Sequence, residues 1–184
     1  MAKNIVIFSD GTGQRGGLLF DEIRSNIYKL FRACRCAPDS SVEPSAQLAF
    51  YDPGLGTLPL GSDFFGTLWR RVYNLVSQAL GLGLTRNIID CYAAMIRMRD
   101  PGDHIYLFGF SRGAYTVRCL GGVLKYCGMP TRAGDKPLPR DEAGSKNIAR
   151  IAVKRVYQFT ESRPLNERTV TPGAQPAGRR CISY

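Results

Sequence analysis

Gly109-Phe110-Ser111-Arg112-Gly113 is the stretch best suited to nucleophilic catalysis. A serine between two glycines, after an apolar run and before a helix-compatible one, fits a tight strand-to-helix turn. Such a turn thrusts the hydroxyl out at the carboxyl end of a sheet as a nucleophile. Nucleophilic serine needs a proton acceptor, usually histidine. The chain has one histidine, His104, at the start of the strand that leads to Ser111. At about 3.3 Å per extended residue the two stand on the order of 20 Å apart, so His104 is not the base.

Acyl transfer also needs donors for the oxyanion that forms on the attacked carbonyl, each worth about 3–4 kcal/mol in enzymes of this kind. The backbone N–H of Arg112, the residue after the serine, is one candidate. The loop Asp10-Gly11-Thr12 leaves another apolar run and can bring a second donor, from Gly11 or Thr12, to the same rim. Asp10 either caps that turn or takes part in the chemistry directly; capping is the simpler reading. Gly109 and Gly113 give the room for helix and strand to approach closely, and an alkoxide at Ser111 would lie where a helix N-terminus favours negative charge.

The elements that must hold these residues follow from apolar patterning. Asn4–Phe8 reads as a buried strand, and Ile23, Ile27, Leu30, Phe31 and Cys34 recur at helical spacing, with Ser25-Asn26 in the first turns. Gln47–Tyr51 is a second strand, broken by Asp52-Pro53-Gly54. Residues 67–80 suit a helix, and another begins near Thr85, burying Ile88, Ile89, Tyr92, Met95 and Ile96. Asp100-Pro101-Gly102-Asp103 stops it. His104–Phe108 is the third strand, and residues 112–126 form a helix carrying Ala114, Tyr115, Val117, Cys119, Leu120 and Val123. Pro130–Ser145 reads as a turn-rich connector, Asn147–Phe159 as a last helix, and residues 162–184 as a loosely attached tail. Strands alternating with helices define an α/β fold, a mostly parallel sheet flanked by helices, in one domain over residues 1–160.

Composition narrows the function. The net charge of +10 is concentrated late: residues 1–120 hold 13 Lys/Arg against 10 Asp/Glu, residues 121–184 hold 12 against 5. The basic residues are dispersed and lack an aromatic stacking platform, which reads as a solvated surface without nucleic-acid binding. Neither Gly54-Leu55-Gly56 nor Gly81-Leu82-Gly83 completes a phosphate loop. The six cysteines include no C-x-x-C pair, and Asp52, Asp63 and Asp103 read as turn formers. No metal or cofactor is therefore expected. With no span and no signal-peptide core in view, the expected location is the cytosol, or outside it by a route without a cleaved leader.

Several segments together resemble a known family: Ile5-Val6-Ile7-Phe8-Ser9-Asp10-Gly11-Thr12, Ser25-Asn26-Ile27, Tyr51-Asp52-Pro53-Gly54-Leu55-Gly56-Thr57, Tyr92, Pro101-Gly102-Asp103, and Leu107 through Tyr115 with Arg118. They are similar to the type VI secretion phospholipase-effector-like α/β-hydrolase domain. The resemblance implies a serine esterase acting on phospholipid or other lipid esters, with Ser111 as nucleophile and an aspartate and a histidine as partners. It also implies contact with a membrane surface and a secretion-system partner. In the family the two partners lie on strands beyond the helix after the elbow. This chain shows no later histidine and no apolar strand carrying an aspartate, and its Pro/Gly/Arg-rich tail looks like the end of a truncated frame. The expectation is a partial α/β-hydrolase fold with later strands missing. Loss of a triad histidine costs on the order of a millionfold in turnover, so these residues alone are expected to be nearly inert. The alternative is a non-catalytic module that binds lipid or protein, and a third reading has another chain supplying aspartate and histidine.

Overall fold

The computed structural model describes residues 2–11, 24–53 and 83–157. At its centre is β1 (Asn4–Ser9), in which Ile5, Val6, Ile7 and Phe8 are all buried. A strand apolar on both faces belongs inside a parallel sheet covered on both sides. Accordingly β2 (Gln47–Asp52) and β3 (His104–Gly109) pair with it in parallel, one on each side, in the order β2-β1-β3. Each strand runs one residue past its apolar stretch. The ladder continues because Asp10 N–H donates to the Asp52 carbonyl at 3.0 Å and Phe110 N–H to the Ser9 carbonyl at 3.1 Å.

Alternation along the strands sorts the core into two layers. Ile5 and Ile7, with Phe50, Ile105 and Leu107 beside them, face α2 (Gly83–Met98), α3 (Arg112–Cys127) and α4 (Glu142–Ile151). On the other face Val6 and Phe8 pack against Ile27 and Phe31 of α1 (Asn26–Cys34). Ile88, Ile89, Tyr92, Met95 and Ile96 of α2 are buried as their spacing requires, and the Tyr92 hydroxyl donates to the Gly128 carbonyl at 2.6 Å. In α3 the buried stripe is Thr116, Cys119, Leu120 and Val123, whereas Ala114 and Tyr115 face outward.

Helix boundaries follow capping more closely than apolar spacing. Ser25 is the N-cap of α1, its hydroxyl accepting from Tyr28 N–H at 3.0 Å. The last helix corrects the expected span: it starts at Glu142 and not near Asn147. Asp141 caps it by accepting from Gly144 N–H at 2.9 Å, and Glu142 sits in its first turn, where a negative charge meets the helix dipole. After Ile151 the chain continues as a π-helical stretch, Ala152–Tyr157. The connector before α4 contains a small antiparallel hairpin, β4 (Arg132–Ala133) with β5 (Lys136–Pro137), turning at Gly134 with φ 65°. The expected 67–80 helix, the Gly54-Leu55-Gly56 cluster, Gly81, Leu82, Ile23, Phe159 and the 161–184 tail lie outside the described residues, while Gly83 opens α2. Among the described residues, no helix is long and apolar enough to cross a membrane.

Candidate active site

The three strands end in one register row, Asp52, Ser9 and Gly109, and the candidate residues Asp10, Gly11, Ser111 and Arg112 lie just beyond it. After Gly109 the chain bends sharply into α3 at Ser111, whose φ of 54° and ψ of −119° make it the one described non-glycine residue with positive φ. A side chain held there costs on the order of 1–3 kcal/mol, so the surroundings must enforce it. They do so through a tight turn: Gly113 N–H donates to the Phe110 carbonyl at 2.8 Å, and Ala114 N–H to the Ser111 carbonyl at 3.1 Å. Ser111 is exposed, and its hydroxyl makes no capping bond to its own helix.

The flanking glycines are where backbone meets backbone. A Cβ on Gly113 would stand 2.0 Å from the Ser9 carbonyl oxygen, and one on Gly109 would stand 2.4 Å from the Gly113 oxygen. No side chain fits either position without moving α3 off the end of β1. Gly11 brings the first loop to the same rim, since a Cβ there would lie 3.3 Å from Ser111 Cβ and 3.2 Å from the Phe110 ring.

That loop is organised by Asp10, which is fully buried. Its Oδ1 accepts from Gly11 N–H at 2.7 Å, and its Oδ2 accepts from the hydroxyls of Tyr51, at 2.8 Å, and Ser25. Asp10 therefore ties the ends of β1 and β2 to the start of α1. Arg112 is the first residue of α3, directly after Ser111. Thr12 lies outside the described residues. His104 stands in register with Asn4, at the opposite end of the sheet from Ser9 and Gly109.

Asp52 departs from its reading as a turn former. It is the last residue of β2, 7% exposed, and its Oδ2 accepts from the Ser9 hydroxyl at 2.8 Å. Burial pushes its carboxyl up to about 6; the Ser9 hydroxyl opposes the rise, the Asp90 charge adds to it, and the Cys91 thiol and Arg112 guanidinium also oppose it. Burial lowers Arg112 in turn, and the Asp52 charge counters that shift. Burial likewise lifts the Cys91 thiol well above its ordinary value, with the Asp52 charge adding to the effect. The signal for Asp52 in the sequence was its place directly after Ala49-Phe50-Tyr51, where a strand one residue longer carries the carboxylate inside.

A parallel sheet flanked by helices, with a strained serine at the carboxyl end of a strand, defines an α/β protein of the strand-turn-helix type. The chain belongs to the family of the type VI secretion system phospholipase effector Tle1-like catalytic domain, whose family model matches residues 3–172. That family is described as a phospholipase effector catalytic domain. The chain is also similar to the uncharacterized protein YEL023C of Saccharomyces cerevisiae, at 32% identity over 132 residues, covering 69% of this chain and 18% of that protein. The chain thus spans less than a fifth of that relative's length. No solved structure matches it significantly.

Proposed function

We propose that the chain carries the nucleophile and oxyanion face of an α/β-hydrolase that cleaves lipid esters, phospholipids above all, through Ser111. The strained φ of Ser111 beside Gly11 is the observation that carries this reading, because it holds an exposed hydroxyl within reach of two backbone segments. Ser111 Oγ attacks the ester carbonyl, its proton passes to a base, and the alcohol leaves with a proton to give a covalent acyl-serine. Water then releases the acid. The Arg112 N–H and a donor from Thr12 stabilise the oxyanion; the Gly11 N–H, expected from the sequence as a donor, is already given to Asp10 Oδ1 at 2.7 Å and sets the loop's conformation instead. Phe110 and Tyr115, 58% and 47% exposed, flank the serine and suit an apolar acyl chain at a membrane surface. Secretion-system partnership comes to this chain from the family alone.

The single imidazole, His104, is at the wrong end of β3, so a histidine base for Ser111 would have to come from polypeptide outside these 184 residues. Solvent imidazole should then stand in for it. A fluorophosphonate probe is expected to label Ser111 slowly, several-fold faster with added imidazole, and not in Ser111→Ala. Label spread over other serines, with no preference for Ser111, would leave only the non-catalytic binding module.

A further inference from the structure

We propose that Asp52 is a positioning residue for the Ser111 elbow, acting through Ser9 and the Arg112 guanidinium and coupling the elbow's geometry to the protonation of its own carboxyl. The inference rests on the reading of Ser111 as nucleophile for its functional meaning, though not for its test.

Three observations converge. Asp52, Ser9 and Gly109 occupy one row across the sheet, so the carboxylate sits one strand away from Ser9 and two from the residue that opens the elbow. The connection is continuous: the Ser9 hydroxyl donates to Asp52 at 2.8 Å, and the Ser9 carbonyl receives the Phe110 N–H at 3.1 Å. That same carbonyl is the surface on which Gly113 rests without space for a Cβ. Small displacements of Ser9 are therefore passed to both sides of Ser111, because close-packed backbone has no slack to absorb them.

The electrostatics give the carboxyl two states of comparable free energy near neutral pH. Ser9 from β1, Asp90 and Cys91 from α2 and Arg112 from α3 face it, with the buried Asp10 beyond Ser9. Burial and Asp90 disfavour its charge, while Ser9, Cys91 and Arg112 favour it, leaving the group at about 6. Ionised, it accepts from Ser9 and attracts Arg112, the residue next to the serine. Protonated, it loses that attraction and becomes a donor itself. A buried carboxyl of this kind beside a strained turn is where function is expected to outweigh stability.

The test is a titration of the 15N-labelled chain by NMR across about pH 5 to 8. The amides of Phe110, Ser111 and Gly113 are expected to move together with a midpoint near 6. Asp52→Asn should abolish that step while the rest of the spectrum stays folded. Ser9→Ala provides an independent variant, and removing the hydroxyl that favours the charge should raise the midpoint. His104→Gln, which alters the imidazole at the far end of β3, should leave the step in place. Absence of the step in the parent chain, or its persistence in Asp52→Asn, overturns the proposal. A step that appears while Ser111 fails to label with fluorophosphonate retains the positioning role and removes the nucleophile reading.

Discussion

The two ends of the three-stranded sheet are built on opposite electrostatic principles. At the amino end, Lys3 bridges Asp100 and Asp103, each at 2.6 Å, and Arg140 reaches Asp100 at 2.6 Å. Burial raises Asp103, but the Lys3 ammonium and the backbone N–H groups of Asp100 and Lys3 outweigh it and bring the carboxyl down to about 2. At the carboxyl end Asp52 is pushed the other way, to about 6. One end is made of charges that the folded state favours, and the other holds a charge that it disfavours. The difference separates what keeps the sheet closed from what the sheet is built to present.

The sharpest way to break the carboxyl end is steric. Gly113→Ala should cost about 3 kcal/mol in urea denaturation and remove Ser111 labelling, since its methyl meets the Ser9 carbonyl at 2.0 Å. An equally stable Gly113→Ala variant would contradict the close approach.

Asp52→Asn probes the disfavoured charge and should stabilise the chain. A carboxyl raised in the folded state contributes stability below its ordinary value near 4, and loses it as pH rises through about 6. The variant should therefore gain on the order of 2–3 kcal/mol over the parent at pH 8, and nothing near pH 4. Chemical denaturation at the two pH values reads the difference, and a loss of stability at pH 8 would reverse the assignment.

At the amino end the sign inverts. Asp103 is lowered in the folded state, so its contribution is present above about 4 and lost as pH falls through about 2. Asp103→Asn should cost about 1–2 kcal/mol at pH 7, a cost that vanishes in acid, and should leave the Ser111 amide unmoved. A shift at Ser111 would mean that the two ends are not separate. The smallest effect belongs to Gly121→Ala, on the exposed stripe of the same helix as Gly113. A Cβ there meets nothing within 4 Å, and the helix should gain about 0.5–1 kcal/mol.

What could be read from the sequence was set by how local each signal is. The elbow was legible because Gly109, Ser111 and Gly113 act within five residues, and β1 because four consecutive buried apolar side chains admit few other placements. The start of α4 was missed although Asp141 and Glu142 form a cap and an acidic first turn. The apolar stripe begins only at Ile148, and spacing outweighed capping. Asp52 was misread for a different reason. Beside Pro53 it looks like a turn aspartate, and its burial depends on Ser9, Cys91 and Arg112, residues brought to it by three separate elements. The bond from Gly11 N–H to Asp10 lies within one turn, whereas Ser25 and Tyr51 as partners of Asp10 are long-range facts that no window of sequence contains.

Trapping the acyl-serine would show whether Ser111 acts as the nucleophile. With His104 at the far end of β3 and unable to serve Ser111, an activated short-chain ester should acylate Ser111 faster than it is hydrolysed off. Intact-mass and peptide analysis should then show one acyl group on the peptide that carries Ser111. The adduct should be absent in Ser111→Ala and should turn over faster when imidazole is added. Acyl groups scattered over lysines, with Ser111 unmodified, would contradict the account.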